Sequence, residues 1–160
     1  KSGIGYDIHQ IDTKSKKGLK LCGIKIDYKK LIGHSDADVG IHAICDSIFG
    51  ALSMKDIGYY FSNSDPKLKN KNSIFFLKFA RKQLKVKNFY IVNLDINFIC
   101  EKPNINKHRK QMIKKLSSVL QIPEKIISIK ATSNEKIGFI GDGLGIAAES
   151  IVQISNENNY

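Results

Sequence analysis

Residues 88–100 read NFYIVNLDINFIC, and the alternation in this stretch decides the fold. Successive side chains of a strand point to opposite faces, so Tyr90, Val92, Leu94, Ile96, Phe98 and Cys100 share one side, opposite Asn93, Asp95, Asn97 and Glu101. A long strand that is apolar on one side only belongs to a sheet covered on one face. Before it, SIFFLKFARKQLK (73–85) has helical spacing, and after it KHRKQMIKKLSSVLQ (107–121) reads as a basic amphipathic helix. A short strand IISIKA (126–131), a polar loop and a closing strand LGIAAESIVQI (144–154) follow. Upstream, DADVGIHAICDSIFGAL (36–52) places Ile41, Ile44, Cys45, Ile48, Phe49 and Leu52 on one helical stripe behind an aspartate that can cap it. LKLCGIKI (19–26) reads as a strand pair with a bulge near Gly23. Strands and helices alternate irregularly, which predicts an α+β fold with helices on one face of a mixed β-sheet.

At 160 residues the chain is expected to form one domain, residues 1–160. A formal charge of +11 suits an anionic partner, either a nucleic acid or a phosphorylated small molecule. The 26 basic residues are nearly all lysine and are scattered, so an A/T-biased coding sequence explains them as well as function does. Neither the arginines nor the aromatic platform of an RNA reader is evident, and a basic RNA-binding or interaction domain stays as the alternative reading. Three cysteines without a C-x-x-C pair point to a reducing compartment and to packing as small apolar groups. No apolar run approaches the roughly 20 residues of a membrane span. The composition and the start at lysine lead us to expect a plastid-stromal protein of apicoplast type whose transit peptide has been removed, with a bacterial cytoplasm as the alternative.

The opening strand puts Asp7 and His9 on one face and Ile4, Tyr6 and Ile8 on the other, so the first face is expected to carry chemistry and the second the core. His42 flanks the apolar stripe of its helix, with Asp38 and Asp46 four residues to either side. One carboxylate and two imidazoles form a known zinc ligand set that leaves a fourth position for substrate. In ATSNEKIGFIGDGLG (131–145), Thr132 or Ser133 can cap a short helical turn suited to a phosphate, and Glu135 can bind a divalent cation. The glycines there fit neither a Walker loop nor G-x-G-x-x-G after a strand. DIGYYFSNSDP (56–66) is a polar, turn-rich connection. The last strand offers Ala147, Glu149 and Ile151 on the face opposite Ile146, Ala148 and Val152, and two occupied faces suit a subunit interface.

Five segments in order, GIGYDIH (3–9), GHSDADVGIHAICDSIFGA (33–51), DIGYYFSNSDP, EKP (101–103) and KATSNEKIGFIG (130–141), resemble the 2-C-methyl-D-erythritol 2,4-cyclodiphosphate synthase family of the non-mevalonate isoprenoid pathway. The resemblance implies a lyase that cyclises 4-diphosphocytidyl-2-C-methyl-D-erythritol 2-phosphate and releases CMP. It implies zinc on Asp7, His9 and His42, and a second divalent ion, magnesium or manganese, on Glu135. His34 and Ser133 become the catalytic candidates, and Ser35 lies near the phosphates. Asp56, Ile57 and Gly58 would meet the methylerythritol hydroxyls, and Phe61, Ser62, Asn63, Ser64 and Asp65 would form a flap. Pro103, Asn104, Ile105, Ala131 and Thr132 would line the cytidine pocket, with Phe139 a further substrate contact. The implied assembly is a homotrimer with active sites between subunits and a fold like that of Bacillus chorismate mutase, with neither nucleic acid nor membrane as partner. Asn104 departs from a frequent lysine or arginine, Asn63 from a common aspartate, and Asp142 stands where many relatives carry an arginine that faces the trimer axis.

Overall fold

The first strand and the first long helix touch backbone to backbone, and the remaining elements are arranged around that contact. The computed structural model describes residues 1–62 and 64–157. In chain order the elements are β1 (Ser2–Gln10), a hairpin of β2 (Gly18–Leu21) and β3 (Ile24–Lys29), α1 (Val39–Ala51), a short α2 (Ile57–Tyr60), α3 (Ile74–Val86), β4 (Tyr90–Ile99), α4 (Arg109–Leu120), β5 (Ile127–Thr132), a short α5 (Gly138–Gly141) and β6 (Gly145–Ser155). The main sheet runs β1-β6-β4-β5, with β6 antiparallel to both neighbours and β4 parallel to β5. α1 packs on β1 and β6, α3 packs on α1, and α4 packs on β5 and α3. A mixed sheet with its helices on one side is the architecture that the alternation in 88–100 predicts.

Gly3 and Gly5 explain the central contact. A Cβ on Gly3 would overlap the Ser47 carbonyl oxygen, and one on Gly5 would overlap the Ala43 carbonyl oxygen. The helix therefore sits directly on the strand, and the face carrying Gly3, Gly5, Asp7 and His9 is the inner one. The expected core face is the outer one: Ile4 is 71% and Tyr6 53% exposed. The apolar side chains misled because close backbone approach, not side-chain burial, joins these two elements.

Two further registers differ from expectation. In β4 the pairing with β6 shifts between Ile91 and Asn93. Ile91 takes the buried position while Tyr90 is exposed and Val92 half-buried; Leu94, Ile96, Phe98 and Cys100 face the core as predicted. Such an inserted residue re-aims every side chain before it. In the hairpin, Gly23 is not a bulge: Cys22 and Gly23, at φ 50° and 76°, form a two-residue turn, and the irregularity lies between Gly18 and Leu19.

Asp38 ties this hairpin to α1. Its buried carboxylate caps the helix through the Ile41 N–H at 3.1 Å and accepts the turn amides of Cys22 at 2.8 Å and Gly23 at 2.7 Å. Burial raises its pKa, against the pull of those amides. Cys22, Cys45 and Cys100 are free and buried in the core as expected, and burial raises all three thiols, Cys100 to about 11. Among the described residues no helix is long and apolar enough to cross a membrane.

Gly5→Ala is expected to destabilise the protein by about 2 kcal/mol or more, because the clash is with backbone. Gly50→Ala, whose Cβ meets nothing closer than 3.7 Å, is expected to stabilise it by about 0.5–1 kcal/mol. Urea unfolding of the two variants checks both signs.

Candidate active site

β1 and α1 bring Asp7, His9 and His42 together. The His9 Nδ1 lies 2.8 Å from the Ile32 carbonyl, which only accepts, so that nitrogen carries a proton, and Nε2, 3.1 Å from Asp7 Oδ2, is left to hold a metal ion or a second proton. His42 Nδ1 lies 2.8 Å from the same oxygen, while its Nε2 faces the hydroxyls of Ser73 at 3.0 Å and Ser35 at 3.2 Å. One ligand atom from each of the three residues falls within 4.8 Å of the others. Ligands about 2.0–2.1 Å from a tetrahedral metal lie roughly 3.3 Å apart, so the donor set fits a divalent ion. Burial would raise the Asp7 carboxyl, but the hydrogen bonds and charge of His42 and His9 outweigh it and hold it well below the usual range. Burial likewise opposes the His9 imidazolium, and Asp7 with the Ile32 carbonyl raises it nonetheless. Two imidazoles aimed at one carboxylate oxygen need a cation among them, either a proton or a metal.

The three residues open into a cavity of about 180 Å³ also lined by His34, Ser35, Asp46, Ile57, Gly58, Phe61, Leu68 and Phe76. His34 Nε2 donates to the Asp65 carbonyl at 3.1 Å, which ties it to the segment after α2. Asp46 accepts the Ile57 N–H at 2.7 Å and so fixes the first residue of α2 beside the cavity. Burial raises the Asp46 carboxyl, with Asp56 and Asp7 adding to the rise against the Ile57 N–H.

A second cavity, about 520 Å³, is lined by residues 100–106 and 131–133 with Tyr28, and contains Pro103, Asn104, Ile105, Ala131, Thr132 and Ser133. It shares no lining residue with the first. Thr132 and Ser133 do not cap a helix here, because α5 begins only at Gly138 and the intervening turn holds Glu135 and Lys136 at φ 51° and 60°. Glu101 secures that turn by accepting the Asn134 N–H at 2.9 Å. The Ser133 hydroxyl donates to the exposed Glu135 carboxylate at 2.7 Å.

The model of the YgbB family matches residues 1–155. The chain belongs to this family. It is 42% identical to a 2-C-methyl-D-erythritol 2,4-cyclodiphosphate synthase from Ehrlichia canis, over 99% of this chain and 94% of that protein. It is 44% identical to the bifunctional enzyme IspD/IspF from Gluconobacter oxydans, over 98% of this chain but only 40% of that protein. The chain thus spans about two fifths of the bifunctional relatives and nearly all of the others. Among solved structures, the IspF of Plasmodium falciparum in its CDP complex superposes with a TM-score of 0.87 at 42% identity, covering 98% of this chain and 96% of that one. The relationship expected from five short segments is the one found.

Several family-implied residues of this YgbB chain lie outside both cavities. Asp56 caps α2 through the Tyr59 N–H at 2.9 Å and borders a neighbouring cavity with Ile4 and Tyr6. Ser62 and Ser64 bond to each other at 2.7 Å on the surface, and Asp65 caps a 3-10 turn at Pro66–Leu68. Phe139 is half-exposed and packs against Gly145, and Asn63 falls outside the described residues. The sequence reading missed the supports of the ligands: the Ile32 carbonyl, which no side-chain pattern reveals, and Ser73, which in sequence looks like an ordinary helix cap.

Stability of the metal-free protein should follow the Asp7–His9 pair. The depressed Asp7 contributes above its unfolded value of about 3.9 and loses its share as pH falls toward its folded value. The raised His9 contributes fully below about 6.5 and loses its share as pH climbs through its folded value. The melting temperature measured with chelator present is therefore expected to be highest near pH 5–6 and to decline toward pH 8.

Proposed function

We infer that the chain converts 4-diphosphocytidyl-2-C-methyl-D-erythritol 2-phosphate to 2-C-methyl-D-erythritol 2,4-cyclodiphosphate and CMP, a step of isoprenoid biosynthesis by the methylerythritol phosphate route. The observation that carries this is the convergence of Asp7, His9 and His42 at a cavity mouth in a YgbB-family chain. The attacking 2-phosphate is already an anion, so no strong base is required. The barrier is repulsion between phosphates and the entropy of closing a ring.

Asp7, His9 and His42 would hold one divalent ion, zinc by its nitrogen-rich donor set, which when bound supplies Lewis-acid polarisation of the β-phosphate. Glu135 would hold a second, magnesium or manganese; one carboxylate suits an ion that takes its other ligands from phosphates and water. His34 would stabilise charge developing on the phosphates, its orientation fixed by the Asp65 carbonyl. The hydroxyls of Ser35 and Ser133 would donate to phosphate oxygens. Ile57 and Gly58, placed by the Asp46 latch, and Asp56 would meet the methylerythritol hydroxyls, while Phe61 to Asp65 would cover them. Pro103, Asn104, Ile105, Ala131 and Thr132 would receive the cytidine, a role supported by the second cavity and by the CDP complex of the Plasmodium falciparum relative. Phe139 is half-exposed and would reach substrate from outside either cavity.

The two cavities share no lining residue, which supports a homotrimer whose sites would join one subunit's metal centre to the next subunit's nucleotide pocket. The uncovered sheet face, with Ile4 opposite Ile151, supplies an apolar surface for such an assembly. Residues 1–160 would form one catalytic domain. The richness in Lys, Asn and Ile, residues with A/T-rich codons, and the likeness to a Plasmodium protein support a plastid stroma of apicoplast type, with a bacterial cytoplasm as alternative.

Purified protein is expected to carry about one zinc per chain and to release CMP with cyclic rather than linear diphosphate, by product chromatography. Metal-free protein that binds RNA and releases no CMP would refute this function. His42→Ala should lose zinc and at least about a hundredfold in turnover together; full zinc occupancy in that variant would show that the ligand is misassigned. Ile151→Lys should shift the sedimentation coefficient from trimer toward monomer.

A further inference from the structure

Ser73 stands where a serine ordinarily caps a helix, at the start of α3, yet its hydroxyl makes no capping bond. Asn72 Oδ1 takes the Ile74 N–H instead, at 3.0 Å. The Ser73 side chain is fully buried, and its hydroxyl is shared between two residues from elsewhere in the chain. It donates to Asp36 Oδ1, and His42 Nε2 lies 3.0 Å from its oxygen. A hydroxyl has one proton. With that proton given to Asp36, the oxygen can only accept from His42, so a proton sits on Nε2, and Nδ1, 2.8 Å from Asp7 Oδ2, is left to hold a metal ion or a second proton.

Asp36 is held in the accepting form. Its Oδ1 also takes the Ser73 N–H at 3.2 Å, and its Oδ2 faces the Lys20 ammonium at 3.2 Å. With donors on both oxygens, the carboxylate is an acceptor only. Ser35 lies 3.2 Å from the same His42 nitrogen, but its oxygen accepts the Ala37 N–H at 3.3 Å, and among the described residues its own proton has no acceptor other than that ring. It can therefore serve either tautomer, and the choice falls to Ser73 and Asp36.

We propose that Asp36 and Ser73, backed by Lys20, are positioning residues that lock His42 in its Nε2–H form and thereby set the affinity of the Asp7–His9–His42 site for a divalent metal. The relay joins β2, the loop before α1 and the start of α3 to one ligand. This rests on the metal-binding reading above, and the experiment separates the two. In 15N-labelled, metal-free protein the neutral form of the His42 ring is expected to be the Nε2–H tautomer. Zinc dissociation constants from chelator competition are then compared for the unaltered chain, Ser73→Ala and Asp36→Ala. Each substitution should weaken zinc about 10–100-fold, the range for lost supports of a metal ligand, and should give His42 a mixed tautomer signal. A neutral His42 ring with its proton on Nδ1 in the unaltered protein overturns the relay without requiring any variant to fold. Zinc affinity equal to the unaltered chain's in folded Ser73→Ala overturns it as well. Failure of the unaltered protein to bind zinc would instead defeat the metal reading, and the tautomer measurement would still decide the relay.

Discussion

The contact of α1 with β1 at Gly3 and Gly5 is the constraint from which the site follows. Two absent Cβ atoms let the carbonyls of Ala43 and Ser47 rest on the strand backbone. At that separation a side chain on the inner face of β1 and one on the underside of α1 reach the same point. Asp7 and His9 continue the inner face after Gly3 and Gly5, and His42 lies beside Ala43, so the three meet within bonding reach of one ion. A larger residue at either glycine would push the helix off the strand by roughly an ångström, and metal ligation tolerates only a few tenths. The same two residues therefore serve packing and chemistry.

Around this contact the protein spends hydrogen bonds on orientation. The Ile32 carbonyl fixes one imidazole, Ser73 faces the other, Asp38 anchors the helix start to the hairpin, and Asp46 holds α2 at the cavity rim. Three of the four join a side chain to a backbone group at least 11 residues away in sequence. At the buried Asp38 such a bond cannot slide without leaving a polar group unpaired, at a cost of about 1–3 kcal/mol. Under the function proposed above, the site would handle phosphate anions by fixed dipoles and cations, with few groups changing charge, and would need this rigidity more than acids and bases.

The motifs were legible in sequence because they are local: the α1 stripe, the alternation in 94–100 and the Asp-x-His spacing are all set by residues within one element. What escaped is set between elements. The apolar run Ile4, Tyr6, Ile8 resembles a core face, and only the neighbouring helix shows that glycines, not isoleucines, make the inner surface. The shift at Ile91 depends on how β6 pairs with β4, which the β4 sequence does not encode alone. Ser73 and Asp36 lie 37 residues apart, and each has an ordinary local explanation, a cap and a loop aspartate, that hides the bond between them.

The outer face of the sheet completes the physical account. Ile4 and Ile151 are paired across β1 and β6 and both are more than half exposed, with Tyr6 next along the strand. Full burial of such side chains is worth about 1.5–3 kcal/mol each, so a monomer forgoes several kilocalories that an assembly would recover. The inner face cannot supply them, because glycines occupy the positions where β1 would otherwise bury apolar groups. Holding the helix close enough to bring Asp7, His9 and His42 together thus moves the apolar side chains of β1 outward, and Ile4 and Tyr6 are left exposed on the opposite face.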